Sequence, residues 1–275
     1  MESKNNLYLE PSPYLQQHKD NPVNWQTWNK EILNYAKINK KPILLSIGYS
    51  SCHWCHVMAH ESFEDKETAD LMNKHFLNIK VDREERPDID YVFQSSYQLF
   101  NQSGGGWPLT MFLDENGIPF MAGTYFPKLE SNGLPSFKEV ILKVGQTYIE
   151  QREEIIKQSH IISKNLDLKK SLVFNQDLES ILQKIMLNLD KEKGGYKGSP
   201  KFPIFNIYDV LLFFFNKTKN LEYLKPVELI LKQLCSQGIY DHAEGGLSRY
   251  TVDENWLIPH FEKMLYDNTQ FILLL

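Results

Sequence analysis

The sequence predicts an α/β domain, a mixed sheet with helices on both faces, followed by an all-α region. Three observations carry that prediction. Short apolar runs alternate with stretches of helical periodicity up to about residue 165. One run, Ile43–Ile47 (ILLSI), is apolar almost throughout, as expected of a strand buried on both faces. After Leu168 the strand patterns stop and helical ones continue, which places a boundary near 165–176 and divides the chain into 1–168 and 169–275.

In chain order, Trp25, Trp28, Ile32, Leu33 and Ala36 recur at helical spacing over Asn24–Lys40, and Pro42 ends that helix. Ile43–Ile47 is the first strand, and Gly48–Ser51 turns into the stretch SSCHWCHVMAH, Ser50–His60. Ala69, Leu71, Met72 and Phe76 mark a helix over Asp65–His75, and Leu77–Asp82 (LNIKVD) reads as a second strand. Pro87 opens a helix carrying Val92, Phe93, Tyr97 and Phe100. Beyond the glycine run at Gly104, two apolar runs flank Asn116-Gly117, a dipeptide that favours a tight hairpin because both residues accept positive φ. An amphipathic helix over Ser136–Ile162 closes the α/β part. Helices near Asp177–Leu189, Ile207–Asn216, Lys225–Gln237 and Phe261–Leu275 make up the rest.

Composition narrows the classes of function. The 275 residues are 42% hydrophobic and 24% charged, which is globular, and the net charge of -5 offers no basic face to nucleic acid or an anionic membrane. The first ten residues hold no apolar signal core, and the longest apolar runs are too short to span a bilayer, so a soluble cytoplasmic protein is expected. Three cysteines do not suit a disulfide-stapled secreted scaffold. Cys235, alone in a helical pattern, is expected to be a buried structural thiol.

Cys52 and Cys55 are spaced C-x-x-C, with histidines at 53, 56 and 60. Four chemistries fit: a redox dithiol, a zinc site using Cys52, Cys55 and His56, a C-x-x-C-H haem attachment, or an inert packed pair. The context of strand, turn, motif and helix favours the dithiol, because the free N–H groups and dipole of a helix start stabilise a thiolate. Cys52 is then the exposed nucleophile, Cys55 the resolving thiol, and His53 tunes the Cys52 pKa, with Trp54 beside it. Four zinc ligands drawn from so few consecutive residues rarely converge tetrahedrally, and no metal or other cofactor is expected. About fifty residues on, Trp107-Pro108 precedes a strand, and X-Pro is the one bond where cis costs only about 0.5–1 kcal/mol. A cis proline there exposes backbone to an extended peptide. C-x-x-C followed by helix, strand, helix, X-Pro and two strands is the pattern of the thioredoxin fold. Trp107, Pro108 and Tyr49 are the expected substrate wall.

Longer motifs carry a resemblance. SPYLQQHKDNPVNWQTW (Ser12–Trp28), KPILLSIGYSSCHWCHVMAHESF (Lys41–Phe63), KVDREERPDID (Lys80–Asp90) and GGGWPLTMFLDENGIPFMAGTYFP (Gly104–Pro127) closely resemble the spermatogenesis-associated thioredoxin-like proteins. So do GGYKGSPKFP (Gly194–Pro203) and GGLSRYTVDENWLIPHFEKMLYDN (Gly245–Asn268). The resemblance implies a thioredoxin-like domain followed by an (α/α) toroid similar to six-hairpin glycosidases. Four helical patterns are fewer than a complete toroid requires, and the end FILLL is apolar, so the chain is expected to be a truncated piece. Thioredoxins carry a buried aspartate six residues before the first cysteine; here Ser46 stands there, and a more oxidising potential than about -270 mV is expected.

The function expected is thiol–disulfide exchange with a protein thiol or disulfide as partner. The alternative is a redox-sensing or binding module joined to a glycan- or protein-binding helical domain. His242, Arg249, His260 and Glu262 are the candidate pocket of that domain, since carboxylates, histidine and aromatic platforms are what sugars are bound with. His60-Glu61 is expected to be a surface pair rather than a proton relay, and Asp82–Asp88 a solvated loop.

Overall fold

A computed structural model describes residues 4–131, 133–165 and 178–275. The chain divides into two compact units, Met1–Lys170 and Ser171–Leu275. The sequence boundary at 168/169 lies outside the described residues.

The first unit is built on a four-stranded sheet. β1 (Ile43–Gly48) lies between β2 (Leu77–Asp82), to which it is parallel, and β3 (Leu109–Leu113), to which it is antiparallel; β4 (Pro119–Gly123) pairs antiparallel with β3 at the edge. Because side chains alternate along a strand, Ile43, Leu45 and Ile47 join Ile79, Val81, Leu109, Met111 and Leu113 on one face, packed on α2 (Lys30–Ile38) and α5 (Pro87–Asn101). Ser46, Gly48, Lys80 and Asp82 occupy the opposite face, with Ser46 in register with Lys80 and Gly48 with Asp82. This is a thioredoxin-like domain, and it carries the expected hairpin at Asn116-Gly117, where Gly117 takes φ +79.

The N-terminal helix prediction needs correcting. α2 begins at Lys30, where Asn29 accepts a hydrogen bond from the Ile32 N–H at 2.9 Å. Trp25 lies outside it, because Gln26 runs alongside β2. Its N–H donates to Asn78 O and its carbonyl accepts from Lys80 N–H, each at 2.9 Å. That pairing satisfies the backbone of an edge strand and delivers a fully buried Trp25 to the face opposite α2. Ahead of it, α1 (Pro13–Gln16) is capped by Ser12, whose hydroxyl accepts from Leu15 N–H and donates to Asp82 Oδ2 at 2.6 Å.

α3 (His53–Met58) runs on through a π-helical turn, Ala59–Phe63, and α4 (Lys66–His75) follows. Asp65 caps α4, accepting from the Thr68 N–H and hydroxyl at 2.9 and 2.7 Å, with Lys128 and Lys138 each 3.2 Å from its carboxylate. The Thr68 hydrogen bonds, aided by the two lysines, hold this carboxyl well below the usual range. A depressed carboxylate stabilises the fold above its unfolded pKa, about 3.9, and loses that contribution as pH falls towards the folded value. Asp65→Ala is expected to lower urea-unfolding stability by about 1 kcal/mol at pH 7. The deficit should shrink at pH 3; an undiminished deficit there would place its origin in packing. α6 (Phe137–Asn165) packs against α4 and the edge strand β4 with a kink at Gln151, and the Glu115 carboxylate accepts from both Tyr148 and Arg152 on it.

The second unit holds α7 (Leu178–Asn188), α8 (Phe205–Thr218), α9 (Leu221–Ser236) and α10 (Leu265–Leu274), around a core that includes Leu182, Phe205, Leu211, Ile230, Leu234 and Trp256. The last helix begins four residues later than the periodicity suggests. The preceding residues are extended: Arg249 N–H donates to Glu262 O at 2.7 Å, and His260 N–H to Tyr250 O at 2.9 Å. Cys235 is exposed and free, not buried. Val227, Ile230 and Leu234 form the buried stripe of α9, and one further residue turns about 100° out of it. Among the described residues no helix is long and apolar enough to cross a membrane.

Candidate functional site

β1 ends at Gly48, and Tyr49–Ser51 turn the chain into Cys52, which caps α3. Cys52 and Cys55 form a disulfide with Cα atoms 5.2 Å apart, and the Cys55 N–H points at Cys52 Sγ at 3.2 Å. The cap position supplies the unpaired N–H groups that favour negative charge on the first sulfur when the bond opens. Cys52 is not exposed as the motif suggests: it shows 1% of its surface, and Cys55 2%. A disulfide sulfur carries no charge and packs as a small apolar group, so it takes the buried position. His56 and His60 turn away from the pair: His56 Nε2 contacts Ser50 O at 2.8 Å, and His60 pairs with Glu64 at 2.9 Å.

Aromatic residues frame the motif. Trp107-Pro108 is cis, as expected, at the start of β3. Trp107 meets Tyr49 edge to face at 5.8 Å, and the Arg83 guanidinium lies over both rings, 4.0 Å from the first and 5.4 Å from the second. Buried Asp90 orients this group, accepting from Trp107 Nε1 at 2.8 Å and lying 3.8 Å from Arg83 Nε. Asp90→Ala is expected to cost about 1–3 kcal/mol, the usual loss when a buried polar partner goes, read as a lower urea midpoint at unchanged slope. A change within 0.3 kcal/mol would show that Trp107 is held by its ring contacts alone. On α3, Trp54 is half exposed and packs against His53 at 5.7 Å and Tyr125 at 5.0 Å. The Tyr125 hydroxyl donates to Glu61 at 2.6 Å; burial first, and that bond second, push its pKa up to about 12. Glu61 is thus tied to Tyr125 and not to His60.

Beneath the motif, on the same face as Ser46, lies a fully buried Lys80. Its ammonium donates to Ser46 Oγ at 3.2 Å and sits 4.5–5.0 Å from the rings of Tyr14, Trp25 and Phe63. Burial holds its pKa well below the usual lysine value. Ser46, which stands where thioredoxins carry a buried aspartate, thus has a lysine for its neighbour on the adjacent strand. Asp82, next on that face, faces Ser12 instead.

In the second unit the extended pairing brings three of the four named residues together. Glu262 accepts from Arg249 Nη1 at 3.0 Å and lies 3.6 Å from His260 Nδ1. Arg249 also lines a cavity of about 260 Å³ with Phe202, Tyr266 and Asp267, where burial pushes the Asp267 carboxyl up to about 6. His242 is exposed on another turn, edge-on to Tyr240 at 5.2 Å, and does not join them.

A family model described as "Thioredox_DsbH: Protein of unknown function, DUF255" matches residues 4–167. The chain belongs to this family. Curated relatives are similar over nearly the whole of this chain. Uncharacterized protein B0495.5 of Caenorhabditis elegans is 39% identical over 98% of this chain and 38% of its own length. Spermatogenesis-associated protein 20 of Homo sapiens is 38% identical over 97% of this chain and 35% of its own. The chain thus spans little more than a third of the curated relatives it matches. Among solved structures, one titled DsbH Oxidoreductase is 21% identical, with a TM-score of 0.34 over 45% of this chain and 83% of its own. A disulphide isomerase from Xylella fastidiosa Temecula1 is 18% identical, with a TM-score of 0.32 over 44% and 87%.

Residues that motif reading missed are Tyr14, Lys80, Arg83, Asp90 and Tyr125. Lys80 left the clearest signal, a lysine in a strand whose neighbours are all buried. Tyr14 left none, since it lies 38 residues before Cys52 and reaches the site only through the fold.

Proposed function

We propose that the chain is a thiol–disulfide oxidoreductase that acts on protein thiols or disulfides through Cys52 and Cys55. The observation that carries the reading is the Cys52–Cys55 disulfide at the start of α3 in a thioredoxin-like domain. In the reducing direction, the Cys52 thiolate attacks a substrate disulfide and one substrate sulfur leaves as a thiolate. Cys55 then attacks Cys52, which releases the second substrate thiolate and restores the protein disulfide. Trp107, Pro108 and Tyr49 would line the groove for an extended substrate, with His53 and Trp54 beside the nucleophile. The exposed free thiol at Cys235 suits a reducing compartment and supports a cytoplasmic setting.

The domain division is proposed at 168/169, supported by the family match ending at residue 167. The helical part would be the start of an (α/α) toroid. The Arg249–Glu262 pair and the cavity beside it favour a second reading, in which the thioredoxin-like domain is a redox-sensing or binding module for a helical domain that holds glycan or protein.

The deciding measurement is the potential of the Cys52–Cys55 couple, by equilibration in glutathione buffers, alkylation and mass spectrometry. A reversible two-electron couple between about -270 and -120 mV is expected. A disulfide that fails to open and re-form at any poise would leave the binding module as the reading.

A further inference from the structure

We infer that Tyr14 is a positioning residue of the dithiol, the hydrogen-bond donor that meets the Cys55 sulfur when the disulfide opens. The inference rests on the dithiol reading above.

Tyr14 is 1% exposed, and its hydroxyl has no hydrogen-bond partner among the described residues. Buried hydroxyls are nearly always paired, so this one asks for an explanation. Gly48 shows what the hydroxyl faces. A Cβ built on Gly48 would overlap the Tyr14 hydroxyl and stand 2.7 Å from Cys55 Sγ. The phenol oxygen and the sulfur therefore border one shared space, the one that a methyl group on Gly48 would fill. The ring cannot easily swing elsewhere. Ser12 caps its helix and is anchored to Asp82, His18 packs on the ring edge at 5.0 Å, and the Lys80 ammonium lies 5.0 Å from its centre. Burial, with the Asp82 charge second, keeps the phenol pKa above its ordinary value, so it remains a donor.

The redox step supplies the missing acceptor. A substrate thiolate attacks Cys52 Sγ, the S–S bond breaks, and its electron pair leaves on Cys55 Sγ. A second substrate thiolate then attacks the mixed disulfide, so the substrate leaves oxidised as its own disulfide and the protein holds two reduced sulfurs. A disulfide sulfur is a poor acceptor, whereas a thiolate takes a charge-assisted hydrogen bond. Tyr14 is thus unsatisfied in the oxidised form and satisfied in the reduced form. Both effects favour the reduced dithiol and raise the potential. A tyrosine that only packed would act on both forms alike and leave the potential unmoved.

The test compares the unaltered protein with Tyr14→Phe in glutathione buffers. Tyr14→Phe is expected to shift the equilibrium about tenfold towards the disulfide, which is about 30 mV more negative for a two-electron couple. A shift of less than twofold would overturn the inference while leaving the oxidoreductase reading intact. A second measurement does not depend on cycling: the thiolate absorbance of Cys55 is titrated in Cys52→Ser protein, with and without Tyr14→Phe. The added substitution is expected to move the Cys55 titration to higher pH; coincident curves would overturn the role of Tyr14, even for a couple that never cycles.

Discussion

Cys55→Ser protein mixed with oxidised insulin is expected to accumulate a mixed disulfide on Cys52, whereas Cys52→Ser protein accumulates none and loses turnover altogether. The asymmetry follows from position. Cys52 caps α3, where the free N–H groups favour its thiolate, while Cys55 lies one turn inside, with its own N–H aimed at Cys52 Sγ. Without the resolving thiol the first exchange completes and the second has no nucleophile. Cys235 is exposed and would trap insulin on its own account, so both variants are best made with Cys235→Ala. Mass spectrometry of non-reduced digests checks the result. An adduct on position 55 in the Cys52→Ser protein would reverse the two roles, and no adduct in either would end the exchange mechanism.

Lys80→Met is expected to raise stability at pH 7 by about 1–4 kcal/mol, the range seen when buried ionic groups give way to apolar ones of similar size. Lys80 has a neutral serine and three aromatic rings for company. Ring contacts of this kind are worth up to about 2 kcal/mol when desolvated. Three rings sharing one ammonium do not add fully, so the cage offsets only part of a desolvation cost of several kcal/mol. The sign of the pH effect follows from the lowered pKa. Between that lowered value and about 10.4 the unfolded chain binds the proton and the folded chain does not, so stability rises with pH across the window. Urea unfolding at pH 7 and pH 9.5 should show that rise in the unaltered protein and a smaller one in Lys80→Met. A destabilised Lys80→Met with an unchanged slope would mean that the caged ammonium stays charged and stabilises the fold.

The two variants bear on different layers of the site, and those layers were unequally legible. The strands at Ile43 and Leu77, the Asn116-Gly117 hairpin and the cysteine motif are local signals: an apolar run, a turn dipeptide, a fixed spacing. Each is decided within a few residues, so one sequence suffices to read it. Trp25 was misplaced for the same reason. Its spacing fits the helix that follows, and only the pairing of Gln26 with β2 shows that its ring serves the opposite face.

What the sequence by itself determined, then, is the alternation of helices and strands, the family, and a C-x-x-C pair at a helix start with a Trp-Pro bond ahead of the third strand. The tertiary structure alone decided that both sulfurs are buried, that Cys235 is exposed, and that His242 stands apart from Arg249, His260 and Glu262. It also placed a buried Lys80 across from Ser46, and the Tyr14 hydroxyl and the Cys55 sulfur beside Gly48. The physical reason is common to all of these: burial and contact depend on which faces the packing brings together. Tyr14, the Gly48–Cys55 stretch and Lys80 come from three separate segments of the chain, and they meet only after the sheet has formed and α1 has been pinned to Asp82.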